Sequence, residues 1–455
     1  MNKIYVFHNG RNVSLMTVGV VSLGCSKNRV DTELMLGILR RAGYEIVADE
    51  RDADILIVNT CGFIDPAKQE SIDTLLSLAE YKEHGRCKLL VATGCLVQRY
   101  EDAILADMPE VDLLMGVSQY EKLPEAIEEA LKGKRPSYCA PNADILQGDR
   151  VLTTAPYTAY IRIADGCDNR CTYCAIPLIR GGFRSRDIED VLEEIRTLAD
   201  QGVREHVLVA QDTSRFGIDR CGKSLLPELM TRAADIPGVE WLRVLYCYPD
   251  EVDQELLDAM ASRPNICKYL DLPLQHADPA LLKRMNRRGD MEKTRALLKK
   301  AREMGFTLRT TFITGFPGET QEQFDTLMDF VRDIEFDRLG AFAYSAEEDT
   351  PAAEMPDQID DEIKDERLDI LMRAQQSISL RRNELRVGTQ EKVLIESVQY
   401  DEETGEAIGI GRSAQEAPDT DGEIRVLGAD ENDIGGFIEV RITAADIYDL
   451  TGEKL

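Results

Sequence analysis

The sequence feature that most constrains the fold is a loop with three closely spaced cysteines, Cys167, Cys171 and Cys174. The loop follows the strand-like run 159–164, so it is expected to leave the end of a buried strand. Thiolates are the soft ligands of iron–sulfur clusters, and three at the spacing CxxxCxxC can hold three corners of a cubane [4Fe–4S] cluster. The fourth iron would be open to a small chelating molecule. A zinc site without its fourth ligand is the alternative, but none of the four histidines lies near the loop.

Residues 17–134 precede this loop and alternate between strand and helix patterns. Near-continuous apolar runs at 18–23, 54–59 and 88–92 are typical of buried parallel strands. Helical patterns separate them. This alternation predicts an N-terminal doubly wound α/β domain. Residues 1–16 are expected to be an N-terminal extension without the apolar core of a signal peptide.

Three further cysteines each follow one of these predicted strands: Cys25, Cys61 and Cys95. The carboxyl ends of parallel strands meet at one edge of a sheet, where open α/β folds bind ligands. A glycine is adjacent to each cysteine and would let the backbone approach a bulky group. We therefore predict a second metal cluster here, although three unrelated core residues are the alternative. The other five cysteines are interpreted as ordinary thiols: Cys87, Cys139, Cys221, Cys247 and Cys267.

Composition narrows the class of protein. Eleven cysteines in a chain of 455 residues without a leader pattern indicate metal binding in a reducing compartment, so a cytoplasmic protein is expected. No apolar run reaches the roughly 20 residues needed to span a bilayer. The net charge of −29 is opposite to the basic field that nucleic-acid binding usually requires. An acidic surface would instead attract a basic protein, unless it serves only solubility.

A second α/β series is predicted to begin at residue 156, after a linker at 135–155 rich in turn-forming residues. Six strand candidates alternate with helical patterns, which predicts an open, partial (β/α)6 barrel over 156–386. The chemistry of such barrels lies at the carboxyl ends of the strands. Several polar or glycine residues fall there, with Gln275 and His276 readable as core or site. The candidate cofactor-binding residues are Tyr173, Arg184, Gln211, Gly315 and Glu319.

The last 69 residues, 387–455, have short strand patterns separated by turns, as in a small antiparallel β-barrel. From Arg386 to Leu455 there are 17 Asp and Glu against 6 Lys and Arg, a net charge of −11. Small barrels of this kind that bind oligonucleotides carry a basic face. This acidic one is therefore interpreted as an adaptor for a basic protein, with simple solvation as the alternative.

Together these motifs resemble a known family, the methylthiotransferases of the radical S-adenosylmethionine (SAM) superfamily. The resemblance rests on the CxxxCxxC loop, the three cysteines of the first domain and a C-terminal barrel of the TRAM type, and it extends over the chain after Met16. Residues 22–28, 211–214, 270–276 and 411–422 resemble the branch that modifies the ribosomal protein S-twelve. Gly181 to Arg184 departs from the Arg-Gly-acidic run more usual there.

The resemblance implies two [4Fe–4S] clusters and two SAM molecules. The cluster on Cys167, Cys171 and Cys174 would cleave SAM to a radical that abstracts hydrogen from the β-carbon of an aspartate of S-twelve. The cluster on Cys25, Cys61 and Cys95 would deliver the methylthio group. Breaking an unactivated C–H bond exceeds the reach of side-chain acids and bases, which agrees with this scheme. The resemblance also implies an external electron donor.

Two rival functions remain. A tRNA adenosine methylthiotransferase would use the same clusters but would need a basic, RNA-binding face on the C-terminal barrel. A non-catalytic iron–sulfur scaffold would bind no SAM, which the glycine-rich strand ends disfavour. We expect no direct nucleic-acid readout and no membrane partner.

Overall fold

The computed structural model describes residues 16–140, 145–402 and 404–455, so residues 1–15 of the predicted extension lie outside the described part. The chain divides into two compact units. The first contains the chain up to Thr153, together with Asp165–Asp168 and Cys174–Phe183. The second contains Thr154–Ala164, Asn169–Tyr173 and Arg184–Leu455, so the predicted partial barrel and C-terminal barrel share one unit.

The first unit is built on a six-stranded parallel sheet in the order β2-β1-β3-β4-β5-β6. Its strands are β1 (Thr17–Ser22), β2 (Glu45–Ile46), β3 (Ile55–Thr60), β4 (Leu89–Gly94), β5 (Leu113–Met115) and β6 (Ser137–Tyr138). Its helices are α1 (Ser26–Arg41), α2 (Asp65–Ala79), α3 (Tyr81–His84), α4 (Cys95–Arg99), α5 (Glu101–Asp107), α6 (Leu123–Leu131) and α7 (Ile176–Arg180).

The side chains of β3 alternate between two cores, one on each face of the sheet. Ile55 and Ile57 pack into one core, with residues of α1 and α6. Leu56 and Val58 point the other way, into a second core with α2, α4 and α5. Both faces are therefore covered, which is why the strands read as continuous apolar runs. The doubly wound prediction is confirmed.

The edge of this sheet differs from the sequence-based expectation. Residues 135–155 were predicted to be a linker without regular structure, yet Ser137 and Tyr138 pair with Leu114 and Met115 as the sixth strand. The pairing partner, rather than local apolar pattern, makes this strand. The boundaries of the domains within the chain stay predictions.

The second unit contains six parallel βα strands in two sheets of three, ordered β11-β10-β7 and β12-β13-β14. An isolated bridge joins Leu242 of β11 to Ile266, which precedes β12. Among the described residues the outer strands β7 and β14 do not pair with each other, so the barrel is open as predicted. The six strands are β7 (Thr158–Arg162), β10 (Glu205–Val209), β11 (Trp241–Val244), β12 (Tyr269–Gln275), β13 (Thr307–Thr314) and β14 (Arg338–Ala343). Two short strands, β8 (Ala164–Asp165) and β9 (Arg184–Ser185), form a separate sheet. The helices are α8 (Ile188–Asp200), α9 (Ile218–Cys221), α10 (Leu226–Ala234), α11 (Gln254–Ala261), α12 (Pro279–Arg284), α13 (Met291–Glu303), α14 (Gln321–Ile334) and α15 (Asp361–Glu384).

The rest of the second unit is a closed five-stranded barrel in the order β15-β16-β17-β19-β18. The prediction of a small barrel is confirmed, but it is not wholly antiparallel, because β17 and β19 pair in parallel. Its last strand was not predicted. The strands are β15 (Gln390–Tyr400), β16 (Ala407–Ser413), β17 (Ile424–Leu427), β18 (Phe437–Ala445) and β19 (Leu450–Lys454).

A loop of this small barrel, residues 412–421, packs against the partial barrel. Arg412 donates to Glu205, and Arg243 donates to the carbonyl of Ala414. Burial opposes ionisation of Glu205, but Arg412 and Arg243 outweigh it and lower its pKa to about 2. The 412–421 loop contacts all six strands of the partial barrel, through Tyr160, Glu205, Arg243, Tyr269, Thr307 and Arg338.

Among the residues that the structure describes, no helix is long and apolar enough to cross a bilayer. This agrees with the absence of a long apolar run in the sequence.

Candidate metal centres

The structure brings the three cysteines of the first unit to one edge of its sheet. Cys25 precedes α1, Cys61 follows β3 directly, and Cys95 is the first residue of α4 after β4. Their strands β1, β3 and β4 are neighbours and parallel, so their carboxyl ends lie together. Cys25 is exposed, Cys61 half-buried and Cys95 buried. The set is open to solvent on the Cys25 side.

Close backbone packing at Gly24 supports this arrangement. Gly24 has φ +83°, and a Cβ there would lie 2.9 Å from Cys61 Cβ and 3.1 Å from its Sγ. Only glycine can therefore hold the turn before Cys25 so near to Cys61. In the described part of the chain, no three His, Cys, Asp or Glu side chains are arranged to hold one metal ion. A cubane cluster makes a different demand, because each thiolate binds a different iron.

Asn28 connects the loops that carry all three cysteines. Its amide nitrogen donates to the carbonyls of Leu23, 3.2 Å away, and Thr60, 2.9 Å away. Its amide oxygen lies 3.5 Å from the sulfur of Cys95. Asn28 is fully buried. Loss of this side chain would leave two strand-end carbonyls without their partner.

A second buried polar side chain, Arg180 of α7, reaches the same place. Its Nη2 donates to Asn28 Oδ1 at 2.7 Å and to Asp31 Oδ2 at 2.9 Å, and lies 3.6 Å from Cys95 Sγ. Its Nη1 lies 3.5 Å from both carboxylate oxygens of Asp165. The first unit thus holds a guanidinium between two carboxylates and a cysteine sulfur.

The three thiols differ in their tendency to ionise. Burial raises the pKa of Cys95 to about 12, although Arg180 opposes this effect. Burial also raises the pKa of Cys61. Burial among its neighbours opposes ionisation of Cys25 too, but Lys27 and Arg180 outweigh it and lower the pKa of Cys25. Cys25 is therefore the thiol that most readily provides a thiolate.

The CxxxCxxC loop is divided between the two units. In the first unit, the backbone N–H of Cys167 donates to the carbonyl of Gly181. In the second unit, the N–H of Thr172 donates to the carbonyl of Met285, and Asn286 donates to the carbonyl of Arg170. Cys174 also belongs to the first unit. The loop is thus anchored by backbone hydrogen bonds beside each of its first two cysteines.

Arg287 is the charged side chain next to Cys171. Its Nη1 lies 3.7 Å from Cys171 Sγ and 3.4 Å from the hydroxyl of Tyr173. Its guanidinium carbon lies 4.3 Å from the ring centroid of Tyr248, and Nη2 donates to the carbonyl of Pro273. Burial opposes the charge of Arg287, but Tyr173 and Cys171 outweigh it and raise its pKa. A permanent positive charge thus faces a cysteine sulfur.

The predicted cofactor-binding residues are all in the second unit but have different surroundings. Tyr173 packs against an apolar cluster that includes Ile313 and Phe316, the residues on either side of the Thr314–Gly315 turn. Gly315 has φ +70°, and a Cβ there would lie 2.2 Å from Cγ of Lys364. That side of Gly315 is therefore filled by α15.

Glu319 has internal partners rather than an open carboxylate. One oxygen accepts from the N–H groups of Gly315, 2.7 Å away, and Phe316, 3.3 Å away. The other accepts from Arg367 at 3.0 Å. Burial raises the pKa of Glu319. These contacts suit a residue that fixes the turn after β13.

Gln211 and Arg184 are half-buried. Gln211 follows β10, and its neighbour Asp212 accepts a 2.8 Å hydrogen bond from Asn169 of the cysteine loop. His276, after β12, is fully buried, and burial lowers its pKa to about 4. Its Nδ1 accepts from the N–H of Asp278, which identifies the side chain as neutral core histidine at the end of the strand.

Sequence reasoning missed Arg180 and Arg287, the two arginines beside cysteine sulfurs. Arg180 directly precedes the Gly181–Gly182 pair, and in this stretch the sequence indicates Arg184 as the candidate cofactor-binding residue. Arg287 lies more than one hundred residues from Cys171. Neither position has a local pattern that distinguishes it from a surface arginine. Only the folded chain brings them to the cysteines.

Three family models match successive parts of this chain. Residues 17–116 match the uncharacterized protein family UPF0004, residues 161–331 the radical SAM superfamily and residues 387–454 the TRAM domain. The radical SAM superfamily implies a [4Fe–4S] cluster and SAM.

Relatives match over nearly the full length. The ribosomal protein uS12 methylthiotransferase RimO of Heliobacterium modesticaldum is 48% identical over 453 residues, 98% of this chain and 97% of that protein. The chain belongs to the RimO family of methylthiotransferases. RimO proteins of Desulforamulus reducens and Geobacter sulfurreducens are 47% and 48% identical, each over 96% of this chain and 99% and 98% of their own length. The predicted family is confirmed.

Solved structures are similar in fold at low sequence identity. The radical SAM methyltransferase TsrM of Kitasatospora setae has a TM-score of 0.53 and 15% identity, and the match covers 86% of this chain and 79% of that one. The cobalamin-dependent radical SAM enzyme OxsB has a TM-score of 0.50 and 14% identity, with 80% and 56% covered. These likenesses concern the fold of this RimO-family chain alone.

Proposed function

We propose that this chain transfers a methylthio group to the β-carbon of an aspartate of the ribosomal protein uS12. The observation that carries the proposal is the gathering of Cys25, Cys61 and Cys95 on three adjacent strand ends, in a chain of the RimO family. This gives the chain a second set of soft ligands besides the CxxxCxxC loop. Two such sets offer one site for activating carbon and another for supplying sulfur.

Each set would hold one [4Fe–4S] cluster through three thiolates. When bound, the clusters and two SAM molecules would supply the radical chemistry, the sulfur and its methyl group, while the electron would come from an external donor. The chain's own residues prepare both places: Asn28 fixes the strand-end loops of the first set, and Arg287 places a positive charge beside Cys171. Tyr173, Arg184, Gln211 and Gly315 are proposed to contact SAM, and Glu319 to fix the turn beside it.

Charge on the C-terminal barrel supports a protein substrate over tRNA. Of the six basic residues from Arg386 to Leu455, Arg386 and Arg412 are buried in ion pairs. Lys392 is paired with Glu240, and Lys454 with Asp433. Phosphate binding needs free basic side chains, and these four are already neutralised.

The acidic excess is also smaller at the surface than the residue count suggests. Glu416 binds Arg338 and Arg386 inside the second unit, and Asp421 binds Tyr269. Exposed acids remain, among them Glu402, Glu406, Glu431, Glu439 and Glu453. These could attract a basic ribosomal protein. We propose that the reaction takes place in the cytoplasm, a reducing compartment in which cysteines outside disulfides, such as these eleven, persist. The reaction would also use an external electron donor.

The test is anaerobic reconstitution followed by iron counting. We expect about eight irons in the unmodified chain and about four after Cys25→Ala/Cys61→Ala/Cys95→Ala. The complementary variant Cys167→Ala/Cys171→Ala/Cys174→Ala should also keep about four. A matched control replaces three other cysteines, Cys87, Cys139 and Cys221, with alanine and should keep all irons. Only about four irons in the unmodified chain would reduce the first set to structural thiols.

Substrate choice needs a second measurement on the same samples. The reconstituted chain, SAM and a reductant are incubated with uS12 or with tRNA, and the products are weighed by mass spectrometry. We expect methylthio addition to uS12 only. Addition to tRNA instead would favour the rival nucleoside reaction, while no SAM binding would favour the scaffold.

A further inference from the structure

Arg180 brings a buried positive charge to the first cysteine set. Its side chain is 1% exposed, and its Nη2 lies 3.6 Å from Cys95 Sγ. A guanidinium does not lose its proton in proteins, so this charge is permanent. In a site away from water, such a charge acts strongly on neighbouring sulfur.

Two carboxylates hold this guanidinium in place. Asp31, fully buried, is 2.9 Å from Nη2, and Asp165, 7% exposed, is 3.5 Å from Nη1. The same Nη2 donates to Asn28, which fixes the loops of the other two cysteines. The arginine cannot turn away from Cys95 without losing these partners. A cationic donor is thus fixed beside one particular sulfur.

We propose that Arg180 is a positioning residue that donates a hydrogen bond to the Cys95 thiolate and raises the reduction potential of the cluster held there. The inference rests on the proposed cluster at Cys25, Cys61 and Cys95. Reduction adds negative charge to a cluster, so a hydrogen bond and positive charge at its sulfur favour the reduced state.

The carboxylates give a prediction of opposite sign. Arg180→Gln removes the positive charge and should lower the potential. Asp165→Asn leaves Arg180 bound to Asn28 and Asp31 but removes one negative charge, so it should raise the potential. Arg180→Lys keeps the charge without the planar fork and should fall between Arg180→Gln and the unmodified residue.

The experiment uses the full chain with Cys167→Ala/Cys171→Ala/Cys174→Ala, so that only the first cluster is observed. Each variant is reconstituted without oxygen, its iron is counted, and its midpoint potential is measured by redox titration with electron paramagnetic resonance. We expect about four irons in this background. The order of potentials should be Arg180→Gln lowest, the background intermediate and Asp165→Asn highest.

The outcomes separate this inference from the proposed function. No iron in the background chain would refute the proposed first cluster itself. About four irons with the same potential in all variants would leave that cluster intact and overturn the role of Arg180. If Arg180→Gln does not fold, Asp165→Asn decides: a potential at or below the background overturns the inference.

Discussion

The two cysteine sets are assembled from the chain in different ways. The first is assembled from three neighbouring strand ends, whereas the second lies in one loop of eight residues. Each has an arginine near a sulfur, the buried Arg180 at 3.6 Å from Cys95 and the half-buried Arg287 at 3.7 Å from Cys171. The arginines differ in what holds them.

Arg180 is balanced by the buried carboxylates of Asp31 and Asp165. Arg287 is held by a carbonyl, a phenol and the ring of Tyr248, and within the described part of the chain no carboxylate forms an ion pair with it. The first arginine is therefore part of a fixed, charge-balanced interior. The second keeps a positive charge without a carboxylate in direct contact, and Asp212 and Asp250 interact with it at longer range.

The largest effect expected from this difference is on stability. Arg180→Gln removes the guanidinium that pairs with two buried carboxylates, and breaking a buried pair in this way costs about 3–5 kcal/mol. Arg287→Gln leaves no buried carboxylate unpaired and should cost about 1–3 kcal/mol. Urea denaturation of both variants without iron, monitored by circular dichroism, measures the difference between their free energies of unfolding.

A combined variant tests the cause of that loss. Arg180→Gln/Asp31→Asn/Asp165→Asn also removes the two buried negative charges and should recover part of the stability lost in Arg180→Gln. Equal losses for Arg180→Gln and Arg287→Gln would show that the carboxylates do not distinguish the two arginines.

Much of the fold could be predicted because its strands bury apolar runs on both faces. β3 and β4 are fully buried and were recognised directly. β6 and β19 were not. Ser137 and Tyr138 are a strand only because β5 pairs with them, and Leu450–Lys454 lacks an apolar alternation of its own. Pairing partners far along the chain decide such segments.

The site was predictable where spacing carries chemistry and not where distant contacts do. The six cysteines stand at strand ends or in a motif, whereas Arg180 and Arg287 come to lie beside cysteine sulfurs only after folding. For the acidic C-terminal barrel, counting charges along the sequence overestimates the negative charge at the surface. Charge counting treated Glu416 and Asp421 as surface, but both are inside ion pairs or hydrogen bonds of the second unit.

A second prediction concerns acid sensitivity of the two units. His276 of the second unit has a pKa of about 4 against an ordinary 6.5, because burial disfavours its charged form. The unfolded chain takes up this proton near pH 6.5, and the folded chain does so only near pH 4. Stability should therefore fall as pH drops through this range, by about 3 kcal/mol in total.

Replacing His276 measures how much this histidine contributes to the dependence of stability on pH. His276→Asn keeps an acceptor for the N–H of Asp278 and should flatten the dependence of stability on pH between 6.5 and 4. His84→Asn, at a side chain 80% exposed in the first unit, is the matched control and should change nothing. An unchanged slope in His276→Asn would show that other groups control the acid response of the second unit.

The smallest expected effect separates the tasks of the two arginines. Arg287→Gln removes a charge-assisted contact of about 1.5–3 kcal/mol, so SAM cleavage to 5′-deoxyadenosine should slow by about 10- to 100-fold. Arg287→Lys should be intermediate, since it keeps the charge but loses the stacked fork over Tyr248. Arg263→Gln, which disrupts an exposed pair with Asp235, is the control and should retain the full rate. Arg180→Gln should slow this step less than Arg287→Gln does, because its guanidinium lies beside Cys95 rather than Cys171. If Arg180→Gln slows SAM cleavage as much as Arg287→Gln, the two sets are not independent, and the contrast between their arginines fails.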